Sequence, residues 1–477
     1  MKKDLFEGFE LVEEYKPHSE GFYSKSDPKK TKTFIALGII GFFLIFAVFV
    51  SLNLKTGISP DEPAHFLFSR HYATTLGIPP DTEQTQQIGW YIQHNPFLYY
   101  WINGRVLNLV SIVAPNAAEN TQLVILRLLN VLYSAGAVWF CYLLAKEFLE
   151  DSLWAVLPPF LLASTLMFIF LSAAVSYDNL ANLLCFISLY YLVRALKGQP
   201  FLPNSLKSLA AAFIGTLVKY PIVPFAFFIL IALLIYALKN RVKISQEFKP
   251  KSLLANKSLF LLLLAFIGFL AIYGYNLLSF RTLTPRCEQI LNQQQCEVSP
   301  YTQRYEEIAL PQKLSVLQAI SEGKPDPITY VVNQWFDVLL SRIYGIFGHL
   351  QYYPSHSLIF FKVWWMVILV LVLQNWTKGT KAIGYLSGIL LAYTGVLIFL
   401  SYNSELVYGF RYIALQGRYY FPVIGIAYVL ATFGIGQVKP KWLRISILMI
   451  TLTLFIVSGP IKFFLQRNSI FAGWFLP

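Results

Sequence analysis

Long apolar runs recur along the chain and are separated by shorter polar segments. A run of about 20 apolar residues is long enough to cross a bilayer as an α-helix, whereas a membrane β-barrel would show alternating segments of about 10 residues. The pattern therefore predicts an all-α polytopic membrane protein with about 11 transmembrane helices. The runs lie near residues 33–53, 121–144, 153–173, 179–196, 206–219, 221–238, 258–280, 358–374, 383–401, 418–435 and 444–464.

Two neighbouring runs meet at the short sequence Lys219-Tyr220-Pro221. From residue 206 to residue 238 there are only 33 residues, whereas two full spans need about 40. Proline lacks a backbone N–H and disrupts a helix. We therefore expect short or kinked helices that meet near Lys219.

The composition agrees with a membrane protein. Of the 477 residues, 56% are hydrophobic and 13% are charged, against about 25% charged in soluble proteins. The net charge of +13 does not indicate a nucleic-acid partner, because Lys and Arg are densest in the short loops, as in the cytoplasmic loops of membrane proteins. This bias places the tail 1–32 in the cytoplasm and the loops 54–120 and 281–357 outside. No cleavage site follows the first run, so we expect a retained helix.

The most informative segment of the first outer loop is SPDEPAHF (59–66). Asp61 and Glu62 are adjacent there, and acids at such a position either complement a helix dipole or act as a general base at the membrane surface. His65 lies one turn further on. It could join either acid in binding a divalent metal such as Mg or Mn, or be an ordinary interfacial histidine.

The same loop predicts two amphipathic helices that lie in the outer interface, over about 62–76 and 97–110. Their apolar and aromatic residues recur at helical spacing, as in helices that rest on a membrane surface. Asn95 followed by Pro96 is typical of a helix start, with Asn as the cap and Pro at the first position.

Basic residues at the outer ends of spans need a reason, because the positive-inside bias does not explain them. Lys219 lies at the break before Pro221, and Arg418 begins a span from the outside. A cation at a helix break is suited to a phosphate, although Lys219 could also simply end a short helix. We predict that Lys219 and Arg418 bind phosphate, with Arg411 as a helper.

Other charged residues on the outer side have weaker cases. Asp178, at the start of a span, is either a helix cap or a second functional acid. Arg127 is interpreted as a structural residue that extends to the outer interface. Two further candidates for substrate binding are Arg105 and His94.

The second long outer loop, 281–357, contains Cys287 and Cys296. In an oxidising compartment they could form a disulfide worth roughly 2–3 kcal/mol, or remain as two thiols. The stretch 327–347 is long enough to lie against the membrane, and we hypothesise that it acts as a lid over the site.

Several motifs together resemble a bacterial family of multipass membrane proteins related to the GT-C glycosyltransferases, which use polyprenyl-phosphate sugars. HNPFLYYW is similar to the His-Pro-Pro-Leu-Tyr-Tyr pattern of protein mannosyltransferase and aminoarabinose transferase relatives, with Asn95 in place of the first Pro. The motifs are SPDEPAHF (59–66), HNPFLYYW (94–101), ILRLLNVLYSAGAVWFCYLLAKEF (125–148), SYDNLANLL (176–184), GTLVKYPIVP (215–224), YGIFGHLQYYP (344–354) and QGRYYFPVI (416–424).

The resemblance implies a GT-C-like helical bundle in a bacterial plasma membrane, with the active site on the outer side. It implies that Asp61 is the catalytic base, with Glu62 the less favoured choice. Asp178 then orients the acceptor or binds metal, and Arg418 binds the donor phosphate. The implied modules are a cytoplasmic tail 1–32, a catalytic membrane module 33–280, an outer loop 281–357 and a C-terminal membrane module 358–477.

The expected function is the transfer of a sugar, with inversion, from a polyprenyl-phosphate donor to a glycan, lipid or protein outside the cell. A transporter or flippase of a lipid-linked glycan is the main alternative, and a non-catalytic component of an envelope-glycan complex is a third. The chain has no Walker A motif and no GxGxxG that opens a helix after a strand. An ATP-driven pump or a nucleotide-sugar enzyme is therefore disfavoured.

Overall fold

The computed structural model describes most of the chain, and nearly all of the described residues lie in helices or in the short turns between them. The predicted cytoplasmic tail, as far as residue 27, and the predicted helper residue Arg411 lie outside the described residues. No β-strand occurs among the residues described, which are 28–88, 92–149, 152–242, 244, 256–345, 356–379, 381–409, 415–460 and 473.

The helices follow the apolar runs closely. In chain order they are α1 Pro28–Asn53, α2 Glu62–Ala73, α3 Glu83–Ile88, α4 Leu98–Val113, α5 Glu119–Phe148, α6 Leu157–Ala163, α7 Leu166–Ser172, α8 Tyr177–Leu196, α9 Phe201–Val218, α10 Ile222–Lys239, α11 Lys257–Phe269, α12 Tyr275–Phe280, α13 Cys287–Ile290, α14 Gln293–Glu297, α15 Pro300–Ile308, α16 Val316–Ser321, α17 Pro327–Tyr330, α18 Phe336–Tyr344, α19 His356–Gln374, α20 Lys381–Tyr408, α21 Phe421–Gly436 and α22 Lys441–Ser458.

The polytopic all-α prediction is confirmed, whereas the exact number of spans stays a prediction. Within the described part of the chain, nine helices are long and apolar enough to cross a membrane. The run predicted at 153–173 is a bent pair, α6 and α7, which meet at 66° and would make a tenth span. The apolar part of α19, Leu358–Gln374, is shorter than the others. Whether α19 is a further span decides the count of 11, which is not confirmed.

The break at Lys219 is where the sequence predicts it, yet the helices on either side are not short. Helices α9 and α10 have 18 residues each. Helix α9 begins at Phe201, before the apolar run, because its polar first turns are buried against α8. There, the buried Asn204 side chain donates a hydrogen bond from Nδ2 to the Pro200 carbonyl oxygen at 2.8 Å. The apolar run alone underestimates a helix whose polar residues find partners inside the protein.

Helices α2 and α4 pack against each other in the segment that is predicted to form the first outer loop. Gly104 makes this close approach feasible, because a Cβ there would lie 2.8 Å from the carbonyl carbon of Tyr72. The predicted start of α4 at Asn95 and Pro96 is wrong. The helix begins at Leu98 with Phe97 at its N-cap, since the preceding His94 has a φ of 69° and turns the chain before the helix starts.

Part of the predicted lid is a continuous helical segment in which a π-helical turn, Val331–Trp335, joins α17 to α18. Trp335 is fully buried, and Tyr344 stacks on Phe361 with ring centroids 3.9 Å apart. The lid hypothesis itself stays a prediction. In the same outer loop, a disulfide joins Cys287 to Cys296, with their Cα atoms 5.7 Å apart.

Candidate active site

Asp61 occupies the sharp turn between α1 and α2. Its φ of 59° and ψ of 7° lie in the left-handed region, which residues with a Cβ rarely adopt, although aspartate tolerates it better than most. The Asp61 carbonyl accepts a hydrogen bond from the His65 amide at 2.9 Å and so starts α2. Its carboxylate makes no capping hydrogen bond. The Asp61 side chain therefore does not cap α2.

Glu62 and Arg127 form a buried, bidentate ion pair. Arg127 Nε and Nη2 donate to the two Glu62 oxygens at 2.8 and 2.7 Å, and the Val175 amide donates to Glu62 Oε1 at 3.0 Å. The remaining Arg127 nitrogen, Nη1, donates to the Leu54 carbonyl oxygen at 2.6 Å and the Ser51 carbonyl oxygen at 3.1 Å. This pair connects α5, the end of α1 and the turn before α8 to the residue that follows Asp61.

Two expectations change as a result. Arg127 does not extend to the interface, because it is 2% exposed and paired with Glu62. Glu62 is a poor candidate for the base, because it is fully buried and both of its oxygens already accept hydrogen bonds from the Arg127 guanidinium.

The structure brings four of the predicted site residues into one cluster, although they come from four separate parts of the chain. Arg418 Nη2 lies 2.6 Å from Asp61 Oδ2, a contact between residues 357 positions apart. Arg418 Nη1 lies 3.6 Å from Asp178 Oδ2, and Lys219 Nζ pairs with the other Asp178 oxygen. Carboxylates and cations therefore alternate in the order Asp61, Arg418, Asp178 and Lys219.

Local structure explains how each member is held. Ser176, and not Asp178, caps α8 by accepting from the Asp178 amide, which leaves the Asp178 carboxylate for the two cations. Lys219 adopts an extended conformation between α9 and α10. Arg418 follows Gly417, where a Cβ would lie 2.3 Å from the Arg342 carbonyl oxygen. A glycine there lets the segment that carries Arg418 pack directly on α18.

The cluster is buried except at one end. Asp61 is 17% exposed, whereas the side chains of Arg418, Asp178 and Lys219 are 2–4% exposed. A buried ion pair is stable only when its remaining donors and acceptors are satisfied. Among the described residues, however, Arg418 Nε and Nη1 make no hydrogen bond. Two donors of a buried guanidinium are thus available to an anion that enters beside Asp61.

Aromatic rings surround Lys219. Its Nζ lies 4.7 Å from the ring centroid of Tyr177 and 4.5 Å from that of Tyr419. Burial lowers the pKa of the Lys219 ammonium to about 8, against the opposing effect of Asp178. The ring faces favour the cation. Lys219 is consequently a cation whose charge would be reinforced by a bound anion.

His65 lies beside the cluster without joining it. Its Nδ1 is 2.9 Å from the Tyr100 hydroxyl oxygen, and its ring meets Tyr177 edge to face at 4.4 Å. Burial lowers the pKa of His65 to about 3, so the imidazole is neutral at physiological pH. Metal binding with Glu62 is disfavoured, because Glu62 is taken up by Arg127. In the part of the chain that the structure describes, no three His, Cys, Asp or Glu side chains are placed to hold a metal ion.

Two other predicted residues, Arg105 and His94, contact other parts of the structure. The Arg105 guanidinium donates to the carbonyl oxygens of Tyr72 and Thr75 at the end of α2, where a cation complements the helix dipole. His94 Nδ1 lies 3.1 Å from Asn276 Oδ1, and its ring stacks on Tyr275. Arg105 therefore links α4 to the end of α2, and His94 contacts Asn276 and Tyr275 of α12.

Sequence reasoning missed the two tyrosines that border Lys219. Tyr177 precedes Asp178, and Tyr419 follows Arg418. A tyrosine adjacent to each buried charge was an available signal, although an aromatic residue at the end of a span is routinely interpreted as part of the interfacial belt.

Part of the chain matches a known protein family. Residues 95–273 match the family model described as dolichyl-phosphate-mannose-protein mannosyltransferase, which includes Asp178 and Lys219 but neither Asp61 nor Arg418. The match covers less than half of the chain. A search of curated protein sequences found no match.

Among solved structures, the chain is similar to the oligosaccharyltransferase of Archaeoglobus fulgidus, with 12% identity, a TM-score of 0.50, and coverage of 92% of this chain and 59% of that one. It is also similar to ArnT from Cupriavidus metallidurans, with 12% identity, a TM-score of 0.47, and coverage of 88% and 62%. The arabinosyltransferase EmbB from Mycobacterium smegmatis has 14% identity, a TM-score of 0.46, and coverage of 89% and 32%.

This chain therefore spans less than two thirds of the length of each of these three proteins. The family match confirms the predicted resemblance to the GT-C glycosyltransferases, and the likeness to the oligosaccharyltransferase confirms the predicted fold.

Proposed function

We propose that this protein is a membrane glycosyltransferase that moves a sugar from a polyprenyl-phosphate donor to an acceptor hydroxyl. The observation that carries the proposal is the cluster of Asp61, Arg418, Asp178 and Lys219. It combines a partly exposed carboxylate with two buried cations. The description of the matched family names a dolichyl-phosphate sugar as its donor, which supports the same donor class.

The donor phosphate would bind to the two cations. Arg418 Nε and Nη1 make no hydrogen bond to the described residues, and Lys219 Nζ lies on the other side of Asp178. Guanidinium and ammonium groups are the usual protein ligands of phosphate. Asp178 holds both cations in place, so its role is positioning. The polyprenyl tail would lie among the apolar helices.

The reaction is a single displacement. Asp61 takes the proton of the acceptor hydroxyl as that oxygen attacks the anomeric carbon. The bond between the anomeric carbon and the phosphate oxygen breaks, and its electron pair leaves with polyprenyl phosphate. Arg418 and Lys219 stabilise the charge that develops on the phosphate. Phosphate is a good leaving group, so no general acid is needed, and one displacement inverts the anomeric centre.

Asp61 is paired with Arg418 before the donor binds. A phosphate that accepts hydrogen bonds from Arg418 would compete for this guanidinium and leave Asp61 more basic. The left-handed backbone at Asp61 keeps the carboxylate at the exposed end of the cluster, where an acceptor arrives. Donor binding would in this way prepare the base for the acceptor.

The sidedness follows from the loop charges. If the protein lies in a bacterial plasma membrane with its N-terminus in the cytoplasm, the loop that carries Asp61 faces outward. The acceptor is then a glycan, lipid or protein outside the cytoplasm. Labelling of an introduced Glu83→Cys in intact cells with a membrane-impermeant maleimide tests this, since Glu83 is exposed in the same loop. Reaction only after the cells are broken would place the loop inside.

The decisive experiment measures sugar transfer by purified wild type and Asp61→Asn protein, with a panel of polyprenyl-phosphate sugars and envelope acceptors. Loss of a general base is expected to lower kcat by about 10²–10⁴-fold. Glu83→Gln is the matched control, because Glu83 is an exposed acid of the same loop outside the cluster. Normal transfer by Asp61→Asn would refute the mechanism. If the wild type transfers no sugar but moves a lipid-linked glycan across vesicle membranes, the protein is a flippase.

A further inference from the structure

A second binding site lies at the other end of the membrane module, in a groove between α10 and α20. The groove has a volume of about 760 Å³ and an apolar wall that includes Phe228 and Ile235. Its mouth is formed by Lys239, the last residue of α10, and Lys381, the first residue of α20. The charge cluster is at the opposite end of α10, next to its first residue. The groove is therefore separate from the proposed active site.

The mouth of the groove is positively charged, and the described part of the chain places no counter-charge there. Lys239 and Lys381 are both exposed, and neither forms an ion pair with any residue that the structure describes. The described residues that line the groove include no acidic side chain, and Asn240 adds a neutral polar group at the mouth. Two ammonium groups above an apolar channel complement an anionic headgroup with an attached hydrocarbon chain.

The depth of the groove matches one leaflet. It runs from Lys381 to Ala392 along α20 and from Lys239 to Phe228 along α10. Eleven residues of helix on each side make it about 16 Å long, at 1.5 Å per residue. The hydrocarbon core of a bilayer is about 30 Å thick, so the groove ends near its middle. An acyl chain of one phospholipid has this reach.

The floor of the groove is made by glycines. A Cβ added at Gly384 or at Gly388 would meet no atom within 4 Å, so these positions border open space and not a packed neighbour. A Gly-x-x-x-Gly pattern in a span often lets two helices pack closely. Here α10 already packs on α20 through other residues, and the glycines widen the space between them.

From these observations we infer that the groove binds one anionic phospholipid from the leaflet at the Lys239 end. Its phosphate contacts Lys239 and Lys381, and an acyl chain lies against Gly384 and Gly388. The inner end of the groove is lined by Ala392, the neighbour in sequence of Tyr393, whose hydroxyl donates to the carbonyl oxygens of Pro221 at 3.2 Å and Tyr419 at 3.1 Å. These carbonyls lie near Lys219 and next to Arg418 in sequence. A lipid chain there would pack near Tyr393, which links α20 to the segments that carry Lys219 and Arg418.

The test is native mass spectrometry of the full-length protein in detergent, with dioleoylphosphatidylglycerol or dioleoylphosphatidylethanolamine added. The double variant Lys239→Gln, Lys381→Gln is expected to bind phosphatidylglycerol about 30-fold more weakly, from the loss of two lysine contacts with an anionic lipid. Retention of phosphatidylethanolamine should hardly change. The matched control is Lys257→Gln, Lys441→Gln, which removes two exposed lysines from the first residues of other spans.

A second variant tests the groove without changing its charge. Gly388→Leu fills the channel and leaves both lysines in place, so it is also expected to lose phosphatidylglycerol. Unchanged phosphatidylglycerol binding in both variants overturns the proposal, and so does an equal loss in the control. If Gly388→Leu converts a dimer to a monomer while lipid binding persists, the groove is an interface between two copies of this chain and the proposal is wrong.

Discussion

The ion pair between Glu62 and Arg127 provides a test of whether Asp61 or Glu62 is the general base. In Glu62→Gln the side chain keeps its shape but loses its charge, and its amide N–H groups now face the Arg127 donors. Arg127 is 2% exposed and Glu62 is fully buried, so the guanidinium would remain in the interior without a counter-charge. Removal of one partner of a buried pair costs about 3–5 kcal/mol.

The assay has two readouts, thermal unfolding in detergent and sugar transfer by the fraction that remains folded. The matched control is Glu119→Gln, which breaks the exposed pair of Arg70 and Glu119, where the atoms are 2.8 Å apart and the side chains 43% and 62% exposed. An exposed pair is worth about 0–1 kcal/mol. We expect Glu62→Gln to lower the unfolding temperature far more than the control does. Sugar transfer by the folded fraction should fall only if the substitution moves the neighbouring Asp61 carboxylate from its position.

Two results would refute this reasoning. If Glu62→Gln unfolds at the wild-type temperature but has no transferase activity, then Glu62 is the base and the role of Asp61 is wrong. If it is no more destabilised than Glu119→Gln, the pair with Arg127 does not hold the turn. The double variant Glu62→Leu, Arg127→Met is expected to recover part of the lost stability, because apolar replacement of a whole buried pair is often neutral.

Other predictions follow from the same contacts. Burial lowers the pKa of Lys219 to about 8, so its positive charge is lost as the pH rises through that value. The KM of the wild type for the donor should therefore increase between about pH 7 and pH 9. A KM that does not change with pH, or the same increase in Lys219→Met, would contradict this. Gly104→Ala places a Cβ 2.8 Å from the backbone of α2 and should destabilise the protein by about 1–3 kcal/mol in thermal unfolding, whereas an unchanged unfolding temperature would show that α2 and α4 can separate freely. Cys287→Ser removes the disulfide to Cys296 and should lower stability by about 2–3 kcal/mol; a wild-type unfolding temperature under non-reducing conditions would argue against that contribution.

The sequence by itself determined the class of the protein and most of its helices. Apolar run length is a local property, so α1, α5 and α8 lie where the hydropathy pattern places them. It also identified Asp61, Lys219 and Arg418 as charges that need a reason, because a charge at the outer end of a span is costly unless it has a partner or a ligand. Their function in catalysis stays a prediction.

The sequence could not determine which charges are partners. Arg127 was interpreted as an interfacial residue, and it instead neutralises Glu62, 65 positions away. Arg105 and His94 were weaker candidates for substrate binding, and in the structure they contact carbonyl and amide groups of neighbouring elements. Only the packing of the helices decides these pairings. An ion pair requires atoms within about 4 Å, and that distance depends on how distant segments are arranged in space and not on how they are arranged in sequence.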